Sequence, residues 1–205
     1  MVNLKRESEL FERFDRGGLP EHVRFWVNSE CLVRGKAKSD KYGWYDEALA
    51  GKMKVPVIER STGGGVVYQD GGNLNWSFFL RTHGAFVSPT SAFRQTSDYV
   101  IRALKKLGVQ AEFSPPNRID VQGRKVSGMA ARSTIRTLLV HGTLLIDSDL
   151  ERLNLLCIPP PDCPPVSNIR EWARGINAAE VSKAVVAILK ESDFEVRMAN
   201  DKTRF

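Results

Sequence analysis

Cysteine and histidine are scarce in this chain of 205 residues, with three of each. The cysteines, Cys31, Cys157 and Cys163, are odd in number and widely spaced, and no Cys-x-x-Cys pair occurs. A disulfide framework or a structural zinc site needs more closely grouped ligands than these. We therefore expect reduced thiols in structural positions.

Long apolar runs are also missing. No run approaches the roughly 20 residues that span a bilayer. The segment from Met1 to Glu9 lacks the apolar stretch and small-residue cleavage site of a secretory signal. The sequence therefore predicts a cytoplasmic protein without a membrane segment, and its length fits one domain over residues 1–205.

The charges are of both signs, with 30 Lys and Arg against 24 Asp and Glu and a net charge of +6. A positive surface favours acidic partners, which include nucleic acids, nucleotides and acidic proteins. The basic residues are scattered, with no Lys/Arg block and no recognisable nucleic-acid motif. We expect no nucleic-acid partner, and charge alone names no other.

Apolar spacing predicts an α+β domain in which strands dominate the middle of the chain and helices flank them. Helical spacing covers Glu7 to Arg16, Ser91 to Leu107 and Asn177 to Glu191, where Asn177 is a candidate N-cap. Strand-like runs are more numerous. They cover His22 to Val33, Val55 to Ile58, Asn75 to Leu80, Arg118 to Val121, Arg124 to Ser127 and Thr137 to Ile146.

A glycine-dense stretch, Arg60 to Asp70, joins two of these strands and contains Gly63, Gly64 and Gly65. Glycines let the backbone approach a ligand closely, and their N–H groups can point at an anion beside the Arg60 guanidinium. A bare triple glycine is more often a flexible turn. A second tight cluster, Gly71 to Asn75, favours a ligand cradle, although no Gly-Lys-Ser/Thr follows as in a nucleotide P-loop.

Two further stretches carry candidate polar groups. Lys125 lies in a strand between glycine turns and could offer a compact cation to a phosphate or carboxylate. Asp120 could bind magnesium or orient that lysine. His141 stands in an apolar run, so a packed core residue that shapes a pocket is a better interpretation than a general base.

Taken in order, these motifs resemble the lipoate-protein ligase family, within the wider group of biotin and lipoyl ligases. The resemblance covers roughly residues 20 to 170. It rests on the glycine motif at 60–70, the continuation Gly72 to Ser77, the lysine motif Gly123 to Gly128 and the His141 to Leu145 strand. Weaker similarities lie at 117–119 and 166–169. Three ordered motifs make chance agreement improbable.

The resemblance implies an α+β fold with a mixed sheet and flanking helices. It also implies an enzyme that uses ATP and Mg²⁺ to activate lipoate or octanoate as an acyl-adenylate, and then acylates a lysine of an acidic lipoyl carrier domain. By position, Lys125 would be the catalytic cation and Asp120 the metal ligand. The remaining implied substrate and nucleotide contacts are Arg60, Gly63, Gly64, Gly65, Asn73, Asn75, Asn117, Ser127, Gly128, His141, Gly142 and Thr143.

Some positions depart from the family pattern. Thr62 replaces a usual serine, and Glu59 and Gln69 replace a usual basic residue and a usual histidine. Arg118 replaces an acidic residue, which transfers the expected metal contact to Asp120 or removes it.

Two alternatives to the ligase interpretation stay open. One is an octanoyl- or lipoyl-transferase of the same fold, which needs a cysteine thioester instead of ATP. The resemblance places such a nucleophile just before the lysine motif, where this chain has Phe113 to Pro116 and no cysteine. The other is a non-catalytic carrier-binding subunit, which an intact Lys125 and triple glycine disfavour. A biotin ligase is disfavoured because its Gly-Arg-Gly-Arg-x-Gly-Arg loop is absent.

An accessory partner is a further expectation. The resemblance implies a small additional domain that closes over the nucleotide. The core motifs end near Ile169, which leaves little sequence for such a domain before Phe205. We therefore expect a separate small subunit to cover the site.

Overall fold

A computed structural model describes residues 2–36 and 44–192. Helices flank strands in these ranges, as the apolar spacing predicts. The helices are α1 (Val2–Asp15), α2 (Glu47–Lys52), α3 (Pro89–Lys106), α4 (Leu150–Leu156) and α5 (Ala178–Lys190). The strands are β1 (His22–Val27), β2 (Cys31–Arg34), β3 (Trp44–Tyr45), β4 (Val57–Glu59), β5 (Val66–Gln69), β6 (Asn73–Arg81), β7 (Glu112–Ser114), β8 (Arg118–Val121), β9 (Arg124–Ser133), β10 (Thr137–Leu145) and β11 (Cys157–Ile158).

The main sheet has six strands in the order β1-β6-β10-β9-β8-β7, and each neighbouring pair is antiparallel. A second sheet has three strands in the order β4-β2-β5, with β2 parallel to β4 and antiparallel to β5. Strands β11 and β3 form a short antiparallel pair. The α+β prediction is confirmed, and the mixed pairing lies in the three-stranded sheet.

Strand β6 shows why the main sheet has two different faces. Successive side chains of a strand point to opposite faces. Leu74, Trp76, Phe78 and Leu80 join the core that includes residues of α3 and α5. Each fully buried side chain of this kind stabilises the fold by roughly 1.5–3 kcal/mol. The alternate positions, which include two asparagines, point to the other face.

Helix α1 covers one part of that other face. Phe11 and Phe14 of α1 pack against Phe79 and Leu139 of the sheet, and Leu4 packs against Trp26 at the β1 edge. Helix α1 begins before the predicted Glu7 and ends at 15. The chain then turns at Gly17, whose φ of 84° lies in the left-handed region that glycine tolerates. The three-stranded sheet covers the rest of this face.

The structure departs from the predicted elements in several places: strands β3, β7 and β11 were not predicted, and β9 extends beyond the predicted Ser127. The run from His22 to Val33 forms two strands in different sheets, because the chain turns at residues 28–30. The second half of the glycine motif is strand β5, and helix α4 was not predicted. Propensity misses such features because pairing partners far along the chain decide them.

No helix within 2–36 and 44–192 is long and apolar enough to cross a membrane. Residues 193–205, on which the expected absence of an accessory domain partly rests, lie outside the described ranges. The cytoplasmic location and the single domain over 1–205 stay predictions.

Candidate functional site

A cavity of about 640 Å³ lies between the main sheet and the three-stranded sheet. Strands β1, β6, β10, β9 and β8 contribute lining residues, and these strands are successive neighbours in the main sheet. Neighbouring strands lie about 4.8 Å apart, so the lining extends about 19 Å across the sheet. The opposite wall comes from β2, β5 and the glycine motif.

The two ends of this cavity differ in character. Leu4, Trp26, Val33 and Val67 line it beside β1, where they pack against one another. Asn117, Arg118 and Lys125 line it beside β8. The cavity therefore joins an apolar end to a cationic end. A ligand with an apolar tail and an anionic head matches this polarity.

The glycine motif is folded around the side chain of Arg60. Its Nε donates to Thr62 Oγ1 at 3.0 Å. Its Nη2 donates to the carbonyls of Gly63 and Gly65, each at 2.8 Å, and its Nη1 donates to the Val33 carbonyl at 3.1 Å. The guanidinium thus ties the loop to itself and to β2.

Burial of Arg60 explains its electrostatic state. The residue is 8% exposed. Burial lowers the pKa of Arg60 to about 10, although the carboxylate of Glu7 opposes this shift. The group therefore stays charged at neutral pH. Arg60 does line the cavity, but most of its donors already serve loop carbonyls, so its first role is to position the loop. Its contact with a ligand stays a prediction.

Gly64 and Gly65 line the cavity, whereas Gly63 does not. Gly64 has a φ of 93°, and a Cβ there would lie 2.9 Å from Arg60 Nη2. Gly35 of the chain segment after β2 is equally constrained, because a Cβ on it would lie 2.0 Å from the Gly64 carbonyl oxygen. The backbone conformation of this loop therefore depends on glycine at 35 and 64.

A buried polar network connects helix α1 to the glycine motif. The Nδ1 atom of His141 lies 2.9 Å from Glu7 Oε2, and its Nε2 lies 2.8 Å from Thr62 Oγ1. Ser77 also donates to Glu7. Burial raises the pKa of Glu7, but the His141 imidazole and the hydrogen bonds from His141 and Ser77 outweigh it, so this pKa lies below its usual 4.5.

This network includes three residues that the sequence analysis did not select as site residues, Glu7, Thr62 and Ser77. A signal for Glu7 was present in helix α1. Leu4, Glu7, Phe11 and Phe14 follow the helical spacing of one apolar face, and all four are buried. A carboxylate on an apolar face requires a polar partner in the core. His141 is that partner, and it also lines the cavity.

Lys125 lies at the cationic end of the cavity. Its backbone is held by the proline-rich connection: its N–H donates to the Pro165 carbonyl at 2.9 Å, and its carbonyl accepts from Ser167 N–H at 3.0 Å. A Cβ on Gly128 would lie 3.3 Å from Lys125 Nζ. Gly128 therefore leaves room for the ammonium group, which has no hydrogen-bond partner among the residues described.

Asn117 and Asp120 are placed differently. Asn117 lines the cavity and donates to the Met129 carbonyl at 2.6 Å, which fixes the start of β8 against β9. Asp120 does not line the cavity. Its Oδ2 lies 3.0 Å from Arg118 Nε, and its Oδ1 is buried without a partner in the described chain. Within residues 2–36 and 44–192, no group of three His, Cys, Asp or Glu residues is arranged to hold a metal ion.

Of the other predicted residues, some line the cavity and some are buried behind its wall. Asn75, His141, Gly142 and Thr143 line the cavity, whereas Asn73 and Ser127 do not. Asn73 and Ser127 are buried, and the polar atoms of both side chains lack partners in the described ranges. Gly142 is required for packing, because a Cβ on it would lie 2.3 Å from the Trp76 ring.

One cysteine lies closer to the site than the sequence analysis expected. Cys163 lines the cavity together with Pro160 and Asp162 of the proline-rich connection. The sequence analysis expects structural thiols and finds no cysteine at the family position of a nucleophile, yet Cys163 lies on the cavity wall. Linear spacing misses it because this connection folds back to pair with Lys125. For Cys31 and Cys157, burial raises the pKa to about 11, which keeps both as thiols at neutral pH.

Comparison with known families decides between related folds. Residues 1–190 match the model of the lipoyl protein ligase A/B catalytic domain. The chain belongs to this family. The match covers the cavity, the glycine motif and Lys125 alike, so it confirms the resemblance read from the motifs.

Relatives in the family are longer than this chain. Lipoate-protein ligase LplJ of Bacillus subtilis is 35% identical over 74% of this chain and 44% of its own length. Lipoate-protein ligase A of Psychrobacter cryohalolentis is 30% identical over 92% of this chain and 56% of its own length. The chain thus spans about half the length of these curated relatives.

Solved structures confirm the fold. A lipoate-protein ligase A bound with ATP superposes with a TM-score of 0.75 at 24% identity, covering 88% of this chain and 76% of that one. A bi-partite lipoate protein ligase from Thermoplasma acidophilum, studied with its E2 lipoyl domain, gives a TM-score of 0.78 at 23% identity, covering 96% and 83%. At this identity the likeness establishes the lipoyl-ligase fold.

Proposed function

We propose that this chain is the catalytic unit of a lipoate-protein ligase. It activates lipoate or octanoate with ATP and transfers the acyl group to a lysine of a lipoyl carrier domain. The observation that carries the proposal is the cavity that joins Leu4 and Trp26 at an apolar end to Lys125 at a cationic end, where the ammonium group has no partner in the described chain. The family match supports the same chemistry.

The proposed reaction has two steps. A carboxylate oxygen of the acyl acid attacks the α-phosphorus of ATP, the new P–O bond forms the acyl-adenylate, and the bond to pyrophosphate breaks. The amine of the carrier lysine then attacks the acyl carbonyl, loses a proton and forms an amide, and AMP leaves with the bonding electrons. Negative charge increases at the phosphate in the first step and at the carbonyl oxygen in the second.

Lys125 is suited to stabilise both charges, since a preorganised cation acts most strongly where water is excluded. The apolar end would hold the acyl tail. The backbone of Gly64 and Gly65 would lie along the bound ligand, and Asn117 would bind near the phosphates. Asn73 and Ser127, which lie behind the wall, would act by supporting it.

Magnesium enters this proposal as the ion that neutralises the ATP phosphates. Asp120 fits the chemistry of such a site in one respect, because Mg²⁺ is commonly bound through one or two carboxylates with water and phosphate oxygens, and Asp120 Oδ1 has no partner among the described residues. Oδ2 is paired with Arg118, so Oδ1 is the oxygen left for this role. Asp120 lies outside the cavity lining, which disfavours a direct contact with a metal ion at the phosphates.

A further protein unit is proposed to complete the site. The curated relatives are about twice as long as the matched region, and the Thermoplasma acidophilum protein is bi-partite. A covering unit would exclude water, which strengthens electrostatic contacts and protects the adenylate from hydrolysis. We propose that this unit is a separate small subunit. Full lipoylation of a carrier by this chain alone would contradict that proposal.

The adenylation assay tests the proposed function directly. The purified chain is incubated with ATP, Mg²⁺ and either lipoate or octanoate, and the acyl-adenylate is measured by mass spectrometry. Its formation supports the ligase. Binding of a carrier without adenylate formation, even with a covering subunit added, would support the non-catalytic carrier-binding alternative.

An ATP-independent acyltransferase is the second candidate, and Cys163 on the cavity wall is the observation that favours it. In that reaction a cysteine thiolate takes the acyl group as a thioester before the carrier lysine attacks. Cys163→Ala separates the two functions. The ligase proposal predicts near-normal adenylate formation in this variant, whereas an acyl-thioester trapped on Cys163 of the unaltered chain would establish the transferase.

A further inference from the structure

One continuous chain of side-chain hydrogen bonds runs from the surface of β1 to the cavity wall. Arg24 Nη2 donates to Asn3 Oδ1 at 2.5 Å, and Asn3 Nδ2 donates to Asn28 Oδ1 at 2.9 Å. Asn28 Nδ2 then donates to Gln69 Oε1, and Gln69 Nε2 donates to Asn75 Oδ1, each at 2.6 Å. We call these residues the amide chain.

The direction of the amide chain is determined by its two ends. The Arg24 guanidinium can only donate hydrogen bonds, so it requires the oxygen of Asn3. At the other end Asn75 Nδ2 donates to the Trp26 carbonyl at 3.4 Å, and a carbonyl can only accept. Each amide between them must therefore accept a hydrogen bond at its oxygen and donate one from its nitrogen. Reversing one amide alone would place like atoms in contact.

Only the inner members of the amide chain reach the cavity. Gln69 and Asn75 line it and are 3% and 2% exposed, whereas Arg24, Asn3 and Asn28 do not line it. Asn28 is itself 8% exposed and lies directly after β1. An unsatisfied polar group costs about 1–3 kcal/mol when it is buried. The orientation of the two wall amides is therefore strongly constrained from outside the cavity.

We propose that Asn28 and Arg24 are positioning residues that hold the amides of Gln69 and Asn75 in one orientation against the acyl tail. This inference rests on the proposed function, because it assigns the β1 end of the cavity to the acyl group. The amide chain keeps that wall neutral and its hydrogen bonds satisfied, so the wall accepts an uncharged tail. Gln69, which departs from the family's usual histidine, is the first member that lines the cavity.

Asn28→Asp tests the direction of the amide chain without changing the cavity lining. The new carboxylate still accepts from Asn3 but cannot donate to Gln69. Gln69 is then expected to turn its nitrogen toward the carboxylate, and Asn75 to turn in response, which leaves its oxygen against the Trp26 carbonyl. The unfavourable contact between two oxygens therefore arises at Asn75, on the cavity wall, and not at the substituted residue.

The carboxyl group introduced at this position also provides a pH control. Burial raises the pKa of a carboxyl group, and once protonated it can donate to Gln69 again. Arg24 is the charged outer member of the amide chain. The other charged or titratable groups around it are Glu7, Cys31, Arg60, Asp70 and His141. These are common to the unaltered chain, so comparison at each pH removes their effect.

Octanoate binding to the purified chain is measured by calorimetry at about pH 8 and about pH 5.5, a range chosen to span the titration of a buried carboxyl group. At pH 8 we expect Asn28→Asp to raise the octanoate Kd about tenfold with ATP affinity unchanged, and we expect this difference to diminish at the lower pH. Nitrogen-15 spectra should show altered side-chain amide signals for Gln69 and Asn75 at the higher pH only.

Asn168→Asp is the matched control, because Asn168 also donates one side-chain hydrogen bond, to the Ser148 carbonyl, away from the cavity. It should leave octanoate binding unchanged. If Asn28→Asp does not fold, Arg24→Met serves instead. In the unaltered chain the Arg24 guanidinium carbon lies 4.3 Å from the centroid of the Trp26 ring. Methionine keeps an apolar side chain at this position but removes the donor that orients Asn3, so a second set of amide signals is expected.

The outcomes separate the two proposals. If the unaltered protein binds neither octanoate nor lipoate, the proposed function is wrong. The side-chain amide signals of Gln69 and Asn75 still test the direction of the amide chain in that case. If the unaltered chain binds octanoate and Asn28→Asp binds it equally well at both pH values, with unchanged amide signals, the positioning role is wrong.

Discussion

At the scale of single residues, the site depends on one free cation and one paired anion. Lys125 reaches the cavity with no partner in the described chain, whereas the carboxylate of Glu7 is buried against His141. A free ammonium group is available to a ligand, and a buried carboxylate with two partners is not. The first is therefore assigned to chemistry and the second to structure.

Replacing Lys125 should remove catalysis and preserve the fold. Lys125→Ala is expected to reduce the rate of acyl-adenylate formation about 10²–10³-fold, because a preorganised charge contact is lost. Lys183→Ala, on the exposed part of helix α5, is the matched control and should keep the normal rate. Near-normal adenylation in Lys125→Ala, with unchanged circular dichroism, would remove this lysine from the mechanism.

Glu7 should make acid stability depend on pH. Its pKa is lower in the folded state than its usual 4.5, so it stabilises the fold above that pH, and this contribution is lost as pH falls through the lowered value. Glu7→Gln should cost about 2 kcal/mol near neutral pH. The difference from the unaltered chain should shrink below about pH 4.5.

Urea unfolding at a series of pH values measures this difference. His22 is the control for acid effects of other origin: burial lowers its pKa below 6.5, and a hydrogen bond to the Pro20 carbonyl opposes the shift. The stability that His22 contributes is therefore lost as pH falls from above 6.5, in both proteins alike. A constant difference between the unaltered chain and Glu7→Gln from neutral to acid pH would contradict the assignment.

At the scale of elements, the first half of the glycine motif, residues 60–65, forms a folded loop between β4 and β5. Arg60 binds three carbonyls of the loop and its surroundings, and the imidazole of His141 holds Thr62 from the main sheet. Helix α1 joins this loop through Glu7. The loop conformation therefore depends on an element almost sixty residues earlier in the chain, since contacts and not local propensity hold it.

Two neighbouring glycines of the motif provide a matched pair of variants. Gly64→Val should reduce acyl-acid and ATP binding by at least about tenfold, because a φ of 93° and the Arg60 side chain exclude a branched Cβ. Gly63→Val should have a small effect, because nothing lies within 4 Å of a Cβ there. Calorimetry with ATP and lipoate checks both. Equal affinities in the two variants would show that the motif is only a turn.

At the scale of the whole molecule, the positive net charge should raise the rate at which the chain associates with the proposed acidic carrier domain. The chain carries a net charge of +6. Lys125 and Arg118 add local positive charge at the cationic end of the cavity. A surface of one sign raises the association rate of an oppositely charged partner, and salt screens this attraction.

The rate of carrier acylation should therefore fall with salt. With an acidic lipoyl domain as substrate, kcat/KM is expected to decrease at least severalfold between about 0.02 M and about 0.3 M NaCl, because the Debye length shortens across this range. Adenylate formation with small substrates is the control and should change less. Equal salt dependence of the two steps would argue against steering of the carrier.

The local features of the fold could be predicted from the sequence. Periodicity located α3, α5, β6, β8 and β10 within a few residues, but it predicted only the first four residues of β9. Asn177 caps α5 as predicted, with its side chain accepting from Ala179 and Glu180 N–H. These features depend on neighbouring residues: the spacing of apolar side chains, a capping amide and turn glycines. For the same reason the glycine and lysine motifs, each contiguous in the chain, identified the family.

Only the tertiary structure decided which of these residues meet. Glu7 and His141 are 134 positions apart. Cys163 reaches the cavity wall because the proline-rich connection folds back, with Pro165 and Ser167 bonded to the backbone of Lys125. Asp120 shares a strand with Arg118, which claims one of its oxygens. Such contacts follow from the order and register of strands that are distant in the chain. Local propensity and spacing carry no information about that register, so the amide chain, the glycine-motif network and the two-ended cavity emerged only from the fold.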